Sequence, residues 1–453
     1  MEKQEIFAQV EILKTVLTDM SRVLWREPEL GGSEEKSSDY ARNMLKNEGF
    51  QITGVGELPY AFCAEYGTGS PVIAILGEYD ALPGLSQTCS TKKEPVEKGG
   101  AGHGCGHNLL GSAAVTGAIA IKRVMEQEHL EGTIRFYGCP EEELLSGKVK
   151  MAYYHMFDGC DLAISWHPMT ANMVYDEGFL ANASAHYYFR GKTSHAAFAP
   201  ELGRSALDAV ELMNVGANYL REHVIDKARI HYTTDSGGFS PNIVPDYASA
   251  WYYTRAPHMQ DVQDILRRLE KIAQGAALMT ETEVEVKVDC GCCEKKSNQA
   301  FTKLTYDNMV AAGEIQYTEE ELQFAKEIQN SLDPVLLKKD QERYGEERPM
   351  YIGTAPKDLG EKIGLYSSSD SGDVSQMMPM NLFCTACWPM GCAPHTWQAA
   401  SASGSSIGEK GALHAAKIIA GTAYDLLVKE EMVREIKEEF EASKPNYKPM
   451  YKE

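Results

Sequence analysis

The chain has 453 residues, 43% hydrophobic and 24% charged, a balance that excludes a disulfide-stapled miniprotein and wholesale disorder and predicts two or three compact domains of roughly 150 residues each. A formal net charge of −21 repels phosphate backbones and anionic lipid, which excludes nucleic acid and membrane surfaces as expected partners. Eleven cysteines scattered from Cys63 to Cys392, and an N-terminus without the apolar centre of a signal peptide, predict a cytoplasmic protein with reduced thiols.

Residues 8 to 24 predict an amphipathic helix ending near Pro28. Short apolar runs at 72–76, 133–137, 162–165 and 382–384 predict strands, and the apolar stretches 108–124 and 149–157 predict helices between them. Such alternation implies an α/β domain, a mostly parallel sheet covered by helices on both faces. From about residue 180 the rhythm changes. A strand at 183–189, a helix at 205–222, strands at 229–233 and 247–254, a helix at 261–277 and an edge strand at 282–288 give a ferredoxin-like βαββαβ order. This places an inserted domain at 180–291 within a discontinuous one formed by 1–179 and 292–453. The charged stretch 340–348 reads as a solvated loop. Residues 412–428 read as a core helix, because His414, Lys417 and Asp425 interrupt the apolar run a membrane span requires.

The residues that carry chemistry follow the predicted strands of the larger domain. Glu78, Asp80, Cys105 and His107 come after the first strand, Glu141, Glu142 and Glu143 after the second, His167 after the third, and His395 near the last. Ligands of parallel sheets bind outside the carboxyl ends of the strands, so these segments are expected to converge. Cys105, His107, one carboxylate of the Glu142–Glu143 pair, His167 and His395 form a donor set for zinc or a similar first-row ion. Five donors exceed one tetrahedral ion and suit two ions sharing a bridging ligand and a water. The other carboxylate of the pair can then move a proton from that water to a leaving nitrogen. Each segment has an ordinary reading alone, a buried thiol or a solvated acidic turn; the weight lies in several of them following strands. The Cys-x-x-Cys spacings at Cys290 and Cys293 and at Cys384 and Cys387 read as buried thiols. The glycines around His103 fit neither a dinucleotide fingerprint nor a P-loop.

Gly77-Glu-Tyr-Asp-Ala-Leu-Pro83, Gly102-His-Gly-Cys-Gly-His-Asn108, Pro140 to Glu143, Trp166-His-Pro168, Gly191-Lys-Thr-Ser-His-Ala-Ala197, Pro241-Asn-Ile-Val-Pro245, Ser369-Asp-Ser-Gly-Asp-Val-Ser375 and Pro394-His-Thr-Trp-Gln398 occur in order along nearly the whole chain. In this set the chain resembles the metallopeptidase family of carboxypeptidase G, aminoacylase and the plant auxin-conjugate amidohydrolases. The resemblance implies Cys105, His107, Glu143, His167 and His395 as ligands of two divalent ions per subunit, Zn2+ or Mn2+, with Glu142 as general base. It implies that the inserted domain mediates dimerisation and acts as a lid, and that His195 stabilises the oxyanion in a partner subunit's site. Asn242 is implied as a second polar contact and Arg255 as the fork that receives a substrate carboxylate. Without the resemblance, His195 reads as a capped loop histidine and Arg255 as a surface ion-pair residue.

Three acidic positions stay open. Asp373 is either a partner behind the ligands or a turn residue. Asp80 lies in Glu78-Tyr-Asp80, where many family members carry His-x-Asp, so its role is undetermined. Glu141 adds a third carboxylate that could shift the base's pKa or bind cation. The implied activity is metal-dependent hydrolysis of the amide in an aroyl- or acyl-amino acid such as p-aminobenzoyl-glutamate. The alternatives are a dipeptidase with the same centre and a non-catalytic partner subunit. The expected assembly is a homodimer, or a pairing with a related hydrolase subunit.

Overall fold

The computed structural model describes residues 1–175, 178–358 and 367–452. The chain forms two compact units: Met1–Gly178 with Lys296–Gly364 and Val374–Tyr447, and Phe179–Lys295 with Leu365–Asp373 and Lys448–Glu453. In chain order the strands are β1 (Gln51–Val55), β2 (Leu58–Thr68), β3 (Val72–Glu78), β4 (Gly132–Cys139), β5 (Leu162–Met169), β6 (Met173–Val174), β7 (Ala181–Arg190), β8 (Arg229–Ser236), β9 (Tyr247–Ala256), β10 (Glu283–Cys292) and β11 (Met380–Ala386).

The sheet of the first unit runs β1-β2-β4-β3-β5-β11-β6. Its centre, β4-β3-β5-β11, is parallel, and antiparallel β1, β2 and β6 flank it. Every residue of β11, and every residue of β3 after Val72, is buried, as a sheet covered on both faces requires. The helices His107–Glu128 and Ser406–Val428 pack on one another and on this sheet. The parallel register sets Gly77 beside Gly138 and Glu78 beside Cys139, so the chemistry-bearing turns after β3 and β4 leave the sheet at one level.

Two local expectations are corrected. The single N-terminal helix is two, Lys3–Ile12 and Lys14–Arg26, with the buried Leu13 at the corner between them. The charged stretch at 340–348 is not all loop: a helix spans Pro334–Tyr344. Asp333 caps it by accepting from the Val335 amide, Pro334 occupies the first turn, and Gly345 at φ 62° ends it. These end signals outweigh the polarity of the stretch.

The second unit has an antiparallel sheet in the order β10-β7-β9-β8, with β10 at an edge. The helices Ala206–Leu220 and Met259–Thr280 pack on it. Alternation along β9 turns Ala248, Ala250, Tyr252 and Thr254 into the core, while Trp251, Tyr253 and Arg255 are more exposed. The C-terminal Met450 bridges Gly291 in this unit. Among the described residues, no helix is long and apolar enough to cross a membrane.

Candidate metal centre

The ligand-competent residues meet at the carboxyl ends of β3, β4, β5 and β11, with His167 inside β5 rather than after it because that strand runs on to Met169. Cys105, His107 and His167 present ligand atoms within 4.8 Å of one another, and so do Cys105, Glu143 and His395. Cys105 belongs to both sets. A third set comprises Glu78, His107 and Glu142. In the sequence Glu78 reads as one of the chemistry-bearing residues after the first strand, in Glu78-Tyr-Asp80 where many family members carry His-x-Asp, but it is not counted among the five ligands.

Local structure aims each donor. His107 opens its helix, and the preceding Gly106 adopts φ 76°, where a side chain would also strike Pro168 and Trp388; glycine is therefore required for the chain to enter the helix here. His107 Nδ1 donates to Asp80 Oδ1 at 2.8 Å, and Asp80 Oδ2 accepts from the Glu143 amide at 2.8 Å. One buried carboxylate thus fixes a ring and a second segment, turning His107 Nε2 toward the cluster, an arrangement typical of the groups behind metal ligands. His167 is held in the same way: Nδ1 donates to the Pro168 carbonyl at 2.8 Å, leaving Nε2 3.4 Å from Cys105 Sγ. His395 is half-exposed, with Nε2 3.4 Å from Glu143 Oε2. Its amide donates to the Gly104 carbonyl at 2.8 Å, and its backbone sits at φ 61°, a left-handed conformation uncommon for a residue with a side chain.

The electrostatics of the site call for a cation. Burial, reinforced by the charge of Glu143, pushes the Cys105 thiol well above its usual range. Burial also raises the Glu143 carboxyl to about 7, against the lowering effect of His107. His167 is pushed down to about 4 by burial and by His107, so it is a neutral ring with a lone pair to offer. Asp80 is held below its usual value: burial opposes its charge, but His107, the Glu143 amide and Lys148 together outweigh burial. His107 Nε2 and Glu143 Oε1 are buried without a hydrogen-bond partner. A sulfur, imidazole and carboxylate donor set with such orphaned atoms fits divalent metal, which stabilises the thiolate and carboxylate that burial disfavours.

Glu142 is buried beside the ligand-competent cluster, with Oε2 3.8 Å from His107 Nε2. Glu141 stands apart: its carboxylate pairs with Lys150 and accepts from Ser146 Oγ, so it is engaged by neighbours of its own segment. His195, Asn242, Arg255 and Asp373 belong to the second unit. His195 Nδ1 accepts from the Ala197 and Phe198 amides at 3.2 and 3.1 Å, which leaves the proton of the neutral ring on the exposed Nε2. Its loop bonds to the loop of Asn242, whose carbonyl accepts from Ala196, so the two residues are neighbours. Arg255 ends β9 and donates to Ser368 Oγ at 3.0 Å. Asp373 is buried in a helix, Ser371–Met377, rather than a loop, and accepts from the Cys293 amide at 2.8 Å.

The chain is 42% identical to a subunit of the p-aminobenzoyl-glutamate hydrolase of Escherichia coli, over 93% of this chain and 91% of that protein. The M20 peptidase dimerisation domain matches residues 181–280. The chain belongs to the M20 metallopeptidase family. Another relative, an Xaa-Arg dipeptidase of Mus musculus, is 27% identical over 93% of this chain and 88% of its own length. Among solved structures, a dinuclear metal binding peptidase of the M20 family from Bacillus subtilis has the same fold, with a TM-score of 0.58 and 18% identity over 92% of this chain and 99% of that one. An aminobenzoyl-glutamate utilization protein from Klebsiella pneumoniae gives a TM-score of 0.59 at 16% identity, over 92% and 96%. As a member of M20 this protein is a metallo-amidohydrolase that uses divalent metal.

Proposed function

We propose that the protein hydrolyses the amide joining an aroyl or acyl group to an amino acid with a free carboxylate, p-aminobenzoyl-glutamate being the leading substrate. The observation that carries this reading is the gathering of Cys105, His107, Glu143, His167 and His395 into two sets that share Cys105, with Glu142 Oε2 3.8 Å from His107 Nε2, together with the 42% identity to the Escherichia coli hydrolase subunit. The five residues would hold two divalent ions, zinc or manganese, and Cys105 is common to both ligand sets. When bound, the ions polarise the amide carbonyl and acidify the attacking water. Glu142 takes the proton of that water and delivers it to the leaving nitrogen. His195, protonated on Nε2, donates to the developing oxyanion, Asn242 supplies a second polar contact, and Arg255 receives the carboxylate as a two-pronged donor. Asp80 stands behind His107 as its orienting carboxylate, and Asp373 acts on the second unit through the Cys293 backbone.

The inserted domain serves as dimerisation and lid domain, and the assembly is a homodimer or a pairing with a related hydrolase subunit. The free cysteines suit work in the cytoplasm. A dipeptidase reading has support in the likeness to the mouse Xaa-Arg enzyme. The deciding experiment is elemental analysis of chelator-free protein combined with turnover of a panel of aroyl-amino acids, acyl-amino acids and dipeptides. Two ions per chain and chelator-sensitive release of glutamate from p-aminobenzoyl-glutamate are expected. Turnover of dipeptides alone transfers the reading to a dipeptidase, and metal-free, inactive protein after reconstitution points to a non-catalytic subunit.

A further inference from the structure

Lys148 is fully buried in the first unit, and its Nζ lies 2.7 Å from Glu78 Oε1. The other oxygen of the same carboxylate, Oε2, lies 3.4 Å from His107 Nε2, one of the buried atoms without a hydrogen-bond partner. Two buried charges are costly to desolvate, and an apolar pair of the same volume would stabilise the fold at least as well. The placement of this pair therefore asks for a reason other than stability. The lysine engages one oxygen and the opposite oxygen faces the cluster, where Glu78, His107 and Glu142 have ligand atoms mutually within 4.8 Å.

Resting on the metal-centre reading above, we propose that Glu78 is a further metal ligand, sharing an ion with His107, and that Lys148 positions its carboxylate from behind. The division of labour between the two oxygens explains how an additional anion is kept among Glu142, Glu143 and Asp80 without metal: Lys148 supplies the counter-charge. With metal bound, Glu78 would face the ion with one oxygen and the lysine with the other, lying between two like charges.

The test uses full-length protein stripped with chelator and titrated with Co2+ against a competing chromophoric chelator. Wild-type protein should bind Co2+ and show a thiolate charge-transfer band from Cys105. Glu78→Gln should bind about 10- to 100-fold more weakly, the range seen when a supporting carboxylate is lost, and should change the intensity of the d–d bands, which report coordination. Because Glu78→Gln removes the carboxylate opposite Lys148, the double variant Glu78→Gln/Lys148→Met removes both charges of this pair together. It should lose Co2+ affinity to the same extent while melting like wild type. Lys148→Met alone should bind Co2+ at least as tightly as wild type. Wild-type affinity in both Glu78 variants overturns the proposal, as does weaker binding with unchanged d–d bands, which would put Glu78 outside the coordination shell. Wild-type protein that binds no Co2+ overturns the metal centre itself.

Discussion

His107 and His195 both have Nδ1 engaged and Nε2 left for chemistry, yet they are held in opposite ways. In the first unit, His107 is fully buried and locked by a carboxylate that also fixes Glu143. In the second, His195 is exposed and tied to amides of its own loop. Metal ligation needs donors fixed within fractions of an ångström, and the packed ends of a parallel sheet provide that. A donor that meets a transient oxyanion can sit on a loop, because its partner exists only during turnover. On the proposed reading, substitutions around the buried cluster should act on chemistry and metal, and those in the second unit on recognition and transition-state contacts.

The largest effect is expected at Glu142. Glu142→Gln should retain its metals while kcat/KM falls about 10³- to 10⁴-fold, the upper range for a general base; loss of metal alongside activity would make Glu142 a ligand and blur the contrast. His195→Ala should keep full metal content and lose about 10²- to 10³-fold in kcat. Mixing His195→Ala with Glu142→Gln protein should restore part of the activity where sites are shared across a dimer, and absence of rescue in verified mixed dimers counts against sharing. Arg255→Gln should act on binding, raising KM roughly tenfold or more with kcat nearly kept, as loss of a charged hydrogen bond implies. A drop confined to kcat would move Arg255 into the chemical step.

The smallest effect concerns stability. Glu34 is fully buried and accepts from the Glu141 amide at 2.7 Å. Burial, then the charge of Asp80, raise its carboxyl from 4.5 to about 7. Between those values the native state binds more protons than the unfolded chain, so this contribution to stability is present at low pH and is lost as pH rises through about 7. Urea unfolding of metal-free protein should show Glu34→Gln gaining up to about 3 kcal/mol on wild type at pH 8, with little gain at pH 4. An equal difference at both pH values would show that Glu34 is not protonated in the fold.

Much of the centre was legible because strand periodicity and residue chemistry are both local. Each apolar run that became β3, β4, β5 or β11 could be read in isolation, and the donors follow these runs or, like His167, lie within one. The βαββαβ order of the second unit was legible for the same reason, since every element has its own period and its own turn. His195, Asn242 and Arg255 carried no such signal. Exposed polar residues on loops and strand ends have many ordinary explanations, and only resemblance singled them out.

The sequence by itself therefore determined the kind of chemistry, through thiolate, imidazole and carboxylate donors placed after buried strands, and the α/β character that gathers them. Tertiary structure alone decided which donors share a set, that Asp80 links His107 to Glu143, that a lysine at 148 faces the carboxylate at 78, and that Met450 returns to Gly291. Those pairings join residues far apart in the chain. Their geometry follows from sheet register and side-chain packing, which have no counterpart in the spacing of residues along a line.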